Sequence, residues 1–531
     1  MPLRRALVVG LSCALVAACT PQPPEPTVSV PPTVPATAPS DINAQDRATL
    51  KAGGLVRLRL TTLPGEWNPR HPDGDQADVR AVTAPLTAPA FVTDAAGRAT
   101  ANEDVIRKVE VTTNDATQVI LTLNPAARWG DGAPVTAADW IATWRANTGQ
   151  ISGVNPVRTA GWERVAEVKQ GEGATHVVID YTGPDPAWTE PLVAGPLRAI
   201  TVSDADTFSW DGFEAGHYAG PYTVTHVDAT QGVITLEPNP HWWGDPTLLN
   251  QVIFRTLPDD AAPAAFRNNE LDLLAVGVSA QASERVEGDP TSSLRRSPSP
   301  TGRLLQIDHT GPLADERLRR AVLMSLDRRA IGKADLTGID TTPSVWSDPL
   351  LLPNQPGYAD QAKATGLTRD REQANALLDQ AGWLRGDDGL RSRNGEPLTL
   401  TFAVDDGLWS TRELKHITGA LAAVGITVTP VSTGADLTPA TTTASAFPLA
   451  HLPKVAWSDD SLAEYATKIS QEMDPIRRAD QANQLSRLLW QRLDTIPLFQ
   501  PSQLVAVRTG LANVGSGGFA STSWEDVGWQ A

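Results

Sequence analysis

Both cysteines of this 531-residue chain, Cys13 and Cys19, fall at its extreme N-terminal end. Everything after them has to fold without a disulfide, so stability must come from buried apolar surface. The composition permits this, with 41% hydrophobic residues in a chain long enough for several domains or one large two-lobed body. No apolar run after the N-terminus approaches the roughly 20 residues that a membrane-spanning helix needs. The net charge is −17. So acidic a body disfavours nucleic acid and anionic lipid headgroups as general partners, although a local basic pocket would escape that argument.

The N-terminal end has its own logic. Arg4 and Arg5 precede an almost unbroken run of small and apolar residues from Ala6 to Ala18. That run has the length and flanks of a signal-peptide core. It ends in Leu15-Val16-Ala17-Ala18-Cys19, which resembles a bacterial lipobox. The expectation is cleavage before Cys19, lipidation of its thiol, and anchoring on the outer face of the cytoplasmic membrane. The segment Thr20 to Ser40 carries eight prolines in 21 residues. Such a stretch favours an extended tether, reaching about 65 Å at the polyproline rise. Arginine far outnumbers lysine and alanine is abundant, a bias that hints at a GC-rich, actinobacterial genome.

From Gly53 onward, strand and helix patterns mix. Leu55 to Thr61 alternates as a strand does, and Val109 to Leu123 reads as two strands around Thr113-Asn114-Asp115. Thr136 is placed to cap a helix, with Asp139 in its first turn and Trp140, Ile141 and Trp144 on an apolar face. Tyr222–Val227 and Val233–Glu237 form a hairpin-like pair. Helices are expected at Arg317–Asp327, Arg371–Ala381, Thr411–Ala423 and Arg477–Leu493, and strands at Leu398–Val404 and Ile426–Val431. The mixture predicts an α/β body.

Five blocks, in order, resemble the extracytoplasmic solute-binding proteins of peptide-type ABC importers, family 5. They are Leu121–Trp140 (LTLNPAARWGDGAPVTAADW); Gly220-Pro221-Tyr222 with Asn239–Gly244 (NPHWWG); Phe266–Asp272 (FRNNELD); Leu313–Val322 with Asp327-Arg328; and Ala374–Trp383 with Asp388-Gly389, Asn394-Gly395 and Ile496–Phe499. The resemblance implies a two-lobed, periplasmic-binding-protein-like fold of class II with an extra subdomain. Signal peptide would occupy 1–18 and lipidated tether 19–52. Lobe I would span 53–278 with a subdomain inserted at about 75–205, lobe II 279–490, and a return to lobe I 491–531. It further implies a monomer, not an enzyme, that encloses an oligopeptide or related small solute between its lobes and delivers it to a membrane permease.

One stretch departs from that pattern. Peptide-binding members place an aspartate, in an aromatic-rich segment after the Gly-Ile-x-Val strand, against the peptide's amino group. Here Gly425-Ile426-Thr427-Val428 leads into Thr, Ala and Pro residues, and Asp436 is the only acid before Trp457. The chain also resembles the mycobacterial LpqW type in its tether and in its Trp-Asn-Pro block. That type is linked to mannosylated phosphatidylinositol and envelope assembly, which supplies an alternative to import.

No histidine spacing suits a metal site, and no nucleophile elbow or phosphate-binding loop is present, so neither catalytic residues, metal nor cofactor is expected. Tryptophan is abundant, 16 against 5 tyrosines. Most should pack in cores, but those on loops after strands could wall a ligand site. Trp67 with Asn68, Trp346, Trp409 and Trp457 are the candidates. His309 beside Asp308 reads as structural, and Arg303 as one half of a surface salt bridge.

Overall fold

The computed structural model describes residues 40–277, 283–284, 286, 288–339, 343–405, 408–455, 457 and 460–531. The signal segment, Cys19 and nearly all of the proline-rich tether lie outside the described residues.

Alternation makes the first strand. Leu55–Leu60 buries Val56, Leu58 and Leu60 on one face, and pairs in parallel with Gln251–Thr256. Val233–Pro238 and Tyr222–Asp228 complete a four-stranded sheet, joined as the antiparallel pair that the sequence predicts. Together with Phe254, Val252 and Trp210 this sheet forms the core of lobe I.

Inserted between its first and later strands is a second, antiparallel sheet. Its order is Ile106–Thr113, Thr117–Leu123, His176–Tyr181, Val165–Gln170. The helix Ala137–Asn147 covers it, sinking Trp140 into a core with Val119, Leu121 and Ile179. Asp139 holds the start of that helix: its carboxylate accepts from Thr136 N–H at 2.9 Å and from Ala199 N–H at 2.8 Å. The motif around Trp129 and Asp131-Gly132 thus builds the turn into this helix. A side chain at Gly220 would put its Cβ 2.3 Å from the Leu86 carbonyl carbon, so the second block is a site of close backbone approach.

Lobe II is built on a six-stranded sheet, ordered Ser344–Val345, Thr495–Gln500, Thr301–Ile307, Leu437–Thr443, Thr399–Ala403, Thr427–Val431. Helices Glu316–Ser325, Arg371–Gln380 and Leu408–Ala422 contribute to its core. Pro439 sits inside Leu437–Thr443, opposite Leu305. Beyond Leu437 that strand has Thr301–Ile307 as its registered neighbour.

The lobes are joined by a three-stranded sheet of Leu273–Ala275, Ser502–Arg508 and Ser292–Pro298. The chain enters lobe II after Pro298 and leaves it at Gln500, so Thr495–Gln500 belongs to lobe II rather than to a return segment starting at 491. The stretch just before residue 52 is not extended tether either. Asp41 bridges Ser516, and Leu50–Lys51 pairs with Gly528–Gln530. Asp272, last residue of the third block, accepts from Arg57 N–H and from its guanidinium at 2.8–2.9 Å, tying the joining sheet to the first strand. Among the described residues no helix is long and apolar enough to cross a membrane.

Candidate functional site

Among the described residues, two places bear on ligand capture: the seam where the subdomain meets lobe II, and a cavity on lobe I. The seam is closed by charge. His451 lies 2.6 Å from Glu190, and Lys454 2.6 Å from Glu163. Arg164 holds both Asp185 (2.7 Å) and Glu190 (2.8 Å) on the subdomain side. From lobe II, Arg478 faces the same acids, and burial lowers its guanidinium to about 10. Asn354 donates to the carbonyl of Ala95 at 3.3 Å. Gly97, in the left-handed region at φ +83°, meets Ala446 so closely that a Cβ would lie 3.1 Å from its Cβ. A cavity of about 270 Å³ remains, with Gly97, Ala187, Gln355, Phe447 and Arg478 on its walls.

On lobe II, Arg303 is not a surface ion pair. It is buried, and joins Glu413 through two hydrogen bonds of 2.6 Å. Trp409 lies over its guanidinium, 5.4 Å from carbon to ring centre, and tilts against Phe499. Asp335 packs beside them. Burial first, then the charge of Glu413, holds its carboxyl well above the usual range.

The tryptophan candidates scatter. Trp67 is buried in the lobe I core, edge-on to Phe213, with its carbonyl accepting from Tyr218 O–H at 2.7 Å. Asn68 is fully buried. Its amide donates to the carbonyl of Phe208 at 2.7 Å and its Oδ1 accepts from Arg70 N–H at 3.0 Å. Trp346 donates to the carbonyl of Leu351 at 2.8 Å and covers Gly302, whose Cβ would fall 2.5 Å from its ring. Trp457 donates to the carbonyl of Leu452 at 2.9 Å and packs on the small cluster around Leu462 and Leu485. None of these side chains lines either cavity, but Pro69 and Arg70, which follow Trp67 and Asn68, line the one on lobe I.

That cavity, open to solvent, measures about 810 Å³ and lies on lobe I between the four-stranded sheet, the helix Ala77–Thr83, the edge of the subdomain, the joining strand Leu273–Ala275 and the C-terminal segment. Pro69 and Arg70 line it, with Trp129, Trp210, Tyr218 and Trp243. None of these is among the four tryptophans placed on loops after strands. Arg70 lies two positions beyond Asn68. Among the described residues no group of three or more His, Cys, Asp or Glu is placed to hold a metal ion.

A family model, bacterial extracellular solute-binding proteins, family 5 Middle, matches residues 101–467. The chain is also 30% identical over 522 residues to the oligopeptide-binding protein OppA of Mycobacterium tuberculosis, covering 92% of this chain and 87% of that one.

The chain belongs to solute-binding protein family 5.

The probable monoacyl phosphatidylinositol tetramannoside-binding protein LpqW of the same organism is 26% identical over 383 residues, covering 68% of this chain and 57% of that one. The periplasmic EDTA-binding protein EppA shares the fold, with a TM-score of 0.78 at 23% identity over 92% of this chain and 98% of that one. So does the oligopeptide-binding protein AppA of Bacillus subtilis, at 0.66 and 15% identity over 91% and 100%. Family 5 proteins work outside the cytoplasm, and their two-lobed α/β architecture is the one described above. In this member Asp436 is already engaged. Its carboxylate accepts from Thr401 N–H and Thr401 O–H, both at 2.7 Å.

Proposed function

We propose that this chain is the solute-binding lipoprotein of an ABC importer, cut and lipidated at Cys19, which captures an oligopeptide or related small solute between its lobes and passes it to a membrane permease. The observation that carries the reading is the match, over nearly the whole chain, to a relative named for oligopeptide binding. The architecture supports it: two lobes are joined by a three-stranded sheet, and the subdomain meets lobe II across a charged seam. The tether keeps such a protein within about 65 Å of the membrane, at the polyproline rise, which suits delivery to a permease. Equilibrium dialysis of the mature protein against peptide pools tests the reading. Saturable retention of a peptide class, with loss of its uptake on deletion, is expected. Retention of none, with uptake unchanged, would refute it.

A second reading is a non-transport lipoprotein that binds a mannosylated phosphatidylinositol or regulates envelope glycolipid assembly. The engagement of Asp436 with Thr401 favours it, because that acid is not offered to a peptide amine. A normal envelope glycolipid profile after deletion would rule it out.

A further inference from the structure

One short loop near the C-terminus, residues 513–521, bridges the joining sheet, the subdomain and lobe II. At the joining sheet, the hydroxyls of Ser516 and Ser297 lie 2.8 Å apart, and Ser516 donates to the carbonyl of Gln503 at 3.0 Å. Three residues on, the half-buried Phe519 packs against the lobe II cluster of Leu304, Trp346 and Leu352. Its carbonyl accepts from the Thr93 hydroxyl of the subdomain at 2.6 Å. Ser521 completes that contact: its N–H donates to the Thr93 carbonyl at 3.0 Å, and its hydroxyl accepts from Thr93 N–H at 3.1 Å. Between them Gly518, in the left-handed region at φ +64°, lets the carbonyls of Ala95 and Pro298 pass 3.3 Å from where a Cβ would stand.

The loop is held from behind by residues 41–51, the first part of the chain after the proline-rich tether. Asp41 and Ser516 exchange backbone hydrogen bonds of 2.8 and 2.9 Å, and the Asp41 carboxylate accepts from Arg296 N–H at 3.0 Å. Asn43, itself left-handed at φ +50°, donates from its side chain to the carbonyl of Leu511 at 3.1 Å. Its carbonyl accepts from Asn513 N–H at 3.2 Å. The Asn513 side chain in turn accepts from Gln45 N–H at 2.8 Å and donates to the Gln45 carbonyl at 3.2 Å. Arg295, buried on the joining strand, donates to the carbonyls of Ile42, Leu511 and Val514, and so stitches three segments at one point. Leu50 is the one buried residue of the strap, so hydrogen bonds supply most of its hold. Such a segment can peel away without unfolding a core.

We propose that residues 41–51 are a latch on lobe opening. Seated, the strap holds loop 513–521 across the joining sheet, the subdomain and lobe II, and favours the closed arrangement. Peeled away, it frees the loop and lets lobe II part from the subdomain. The tether ends one residue before the strap, so a pull from the membrane side acts first on the Asp41–Ser516 bridge. That link to the membrane rests on the lipidation at Cys19 proposed above. The latch itself does not, and the test uses an unlipidated chain so that the two fail separately.

The full-length chain carrying Cys19→Ala, dialysed free of small molecules, is read by hydrogen exchange with mass spectrometry and by small-angle X-ray scattering. Asn43→Val puts a β-branched residue where the left-handed region disfavours it and removes the bond to Leu511. Exchange should become at least tenfold faster in residues 511–521 and also in residues 91–96 of the subdomain, and the radius of gyration should rise. Phe519→Ala leaves the strap's hydrogen bonds in place. It should speed exchange in 91–96 and raise the radius with no change in 41–51, and it keeps the test open if Asn43→Val does not fold. Faster exchange confined to 41–51 and 511–516 in Asn43→Val would make the strap a local brace. That result, or an unchanged radius in either folded variant, would overturn the proposal.

Discussion

Arg303 and Glu413 are joined side-on in the interior of lobe II, Nε to Oε1 and the second guanidinium nitrogen to Oε2, each at 2.6 Å. Arg303 comes from the strand Thr301–Ile307 and Glu413 from the helix Leu408–Ala422, so the pair fixes helix to sheet. Breaking one side leaves a buried charge. Arg303→Met is expected to destabilise the protein by about 3–5 kcal/mol, and adding Glu413→Gln to recover at least half of that. Urea unfolding of the two variants measures both; equal stability of Arg303→Met and the parent would show that the pair is not holding the helix.

Asp335 makes the same cluster sensitive to pH. Arg303, Arg412 and Glu413 face it, and burial raises its carboxyl above the ordinary range. The folded state therefore keeps a proton that the unfolded chain gives up at lower pH. Stability from this group is full below the ordinary carboxylate range and declines as pH rises toward the raised folded value. Asp335→Asn supplies a permanent N–H donor toward Glu413. Thermal unfolding from acid to mildly alkaline pH should show a shallower decline in the variant than in the parent.

The seam between subdomain and lobe II rests on Glu163–Lys454 and Glu190–His451. Lys454→Glu turns the attraction to Glu163 into a repulsion. The radius of gyration from small-angle X-ray scattering should rise in the ligand-free variant, and high salt should reduce the difference. An unchanged radius would mean that packing around Gly97 and Ala446 closes the seam without help from charge.

Asp436 tests which surface reads a ligand. Because both of its close contacts go to Thr401, Asp436→Ala should cost about 1–3 kcal/mol of stability and leave ligand affinity unaltered. Loss of peptide binding in a fully folded variant would instead return this acid to the role that peptide-binding relatives suggest.

The α/β architecture was legible because its strands alternate and its helices announce their caps. Leu55–Leu60, the Ile106–Leu123 hairpin and the helix after Thr136 all lie where the residues place them. Leu437–Thr443 was not legible: Thr-Pro-Ala-Thr-Thr-Thr has no apolar alternation, and it is a strand because Thr301–Ile307 lies beside it. The end of lobe II was set too early for a related reason, since Thr495–Gln500 is nearly all buried and shows no period that assigns it to one sheet. Loop position pointed at Trp67 and Asn68, but the Asn68 side chain is spent on backbone groups and Trp67 on Phe213. Pro69 and Arg70 line the lobe I cavity instead. Trp346 looked free because its partner Gly302 lies far away in sequence.

Native mass spectrometry of the lipoprotein, gently purified from its own cells, tests the central claim most directly. A solute-binding protein closed on its cargo should carry a small molecule of defined mass, released when Lys454→Glu opens the seam or when the chain unfolds. A chain that is empty in every preparation, and stays empty after incubation with peptide pools, would contradict the account.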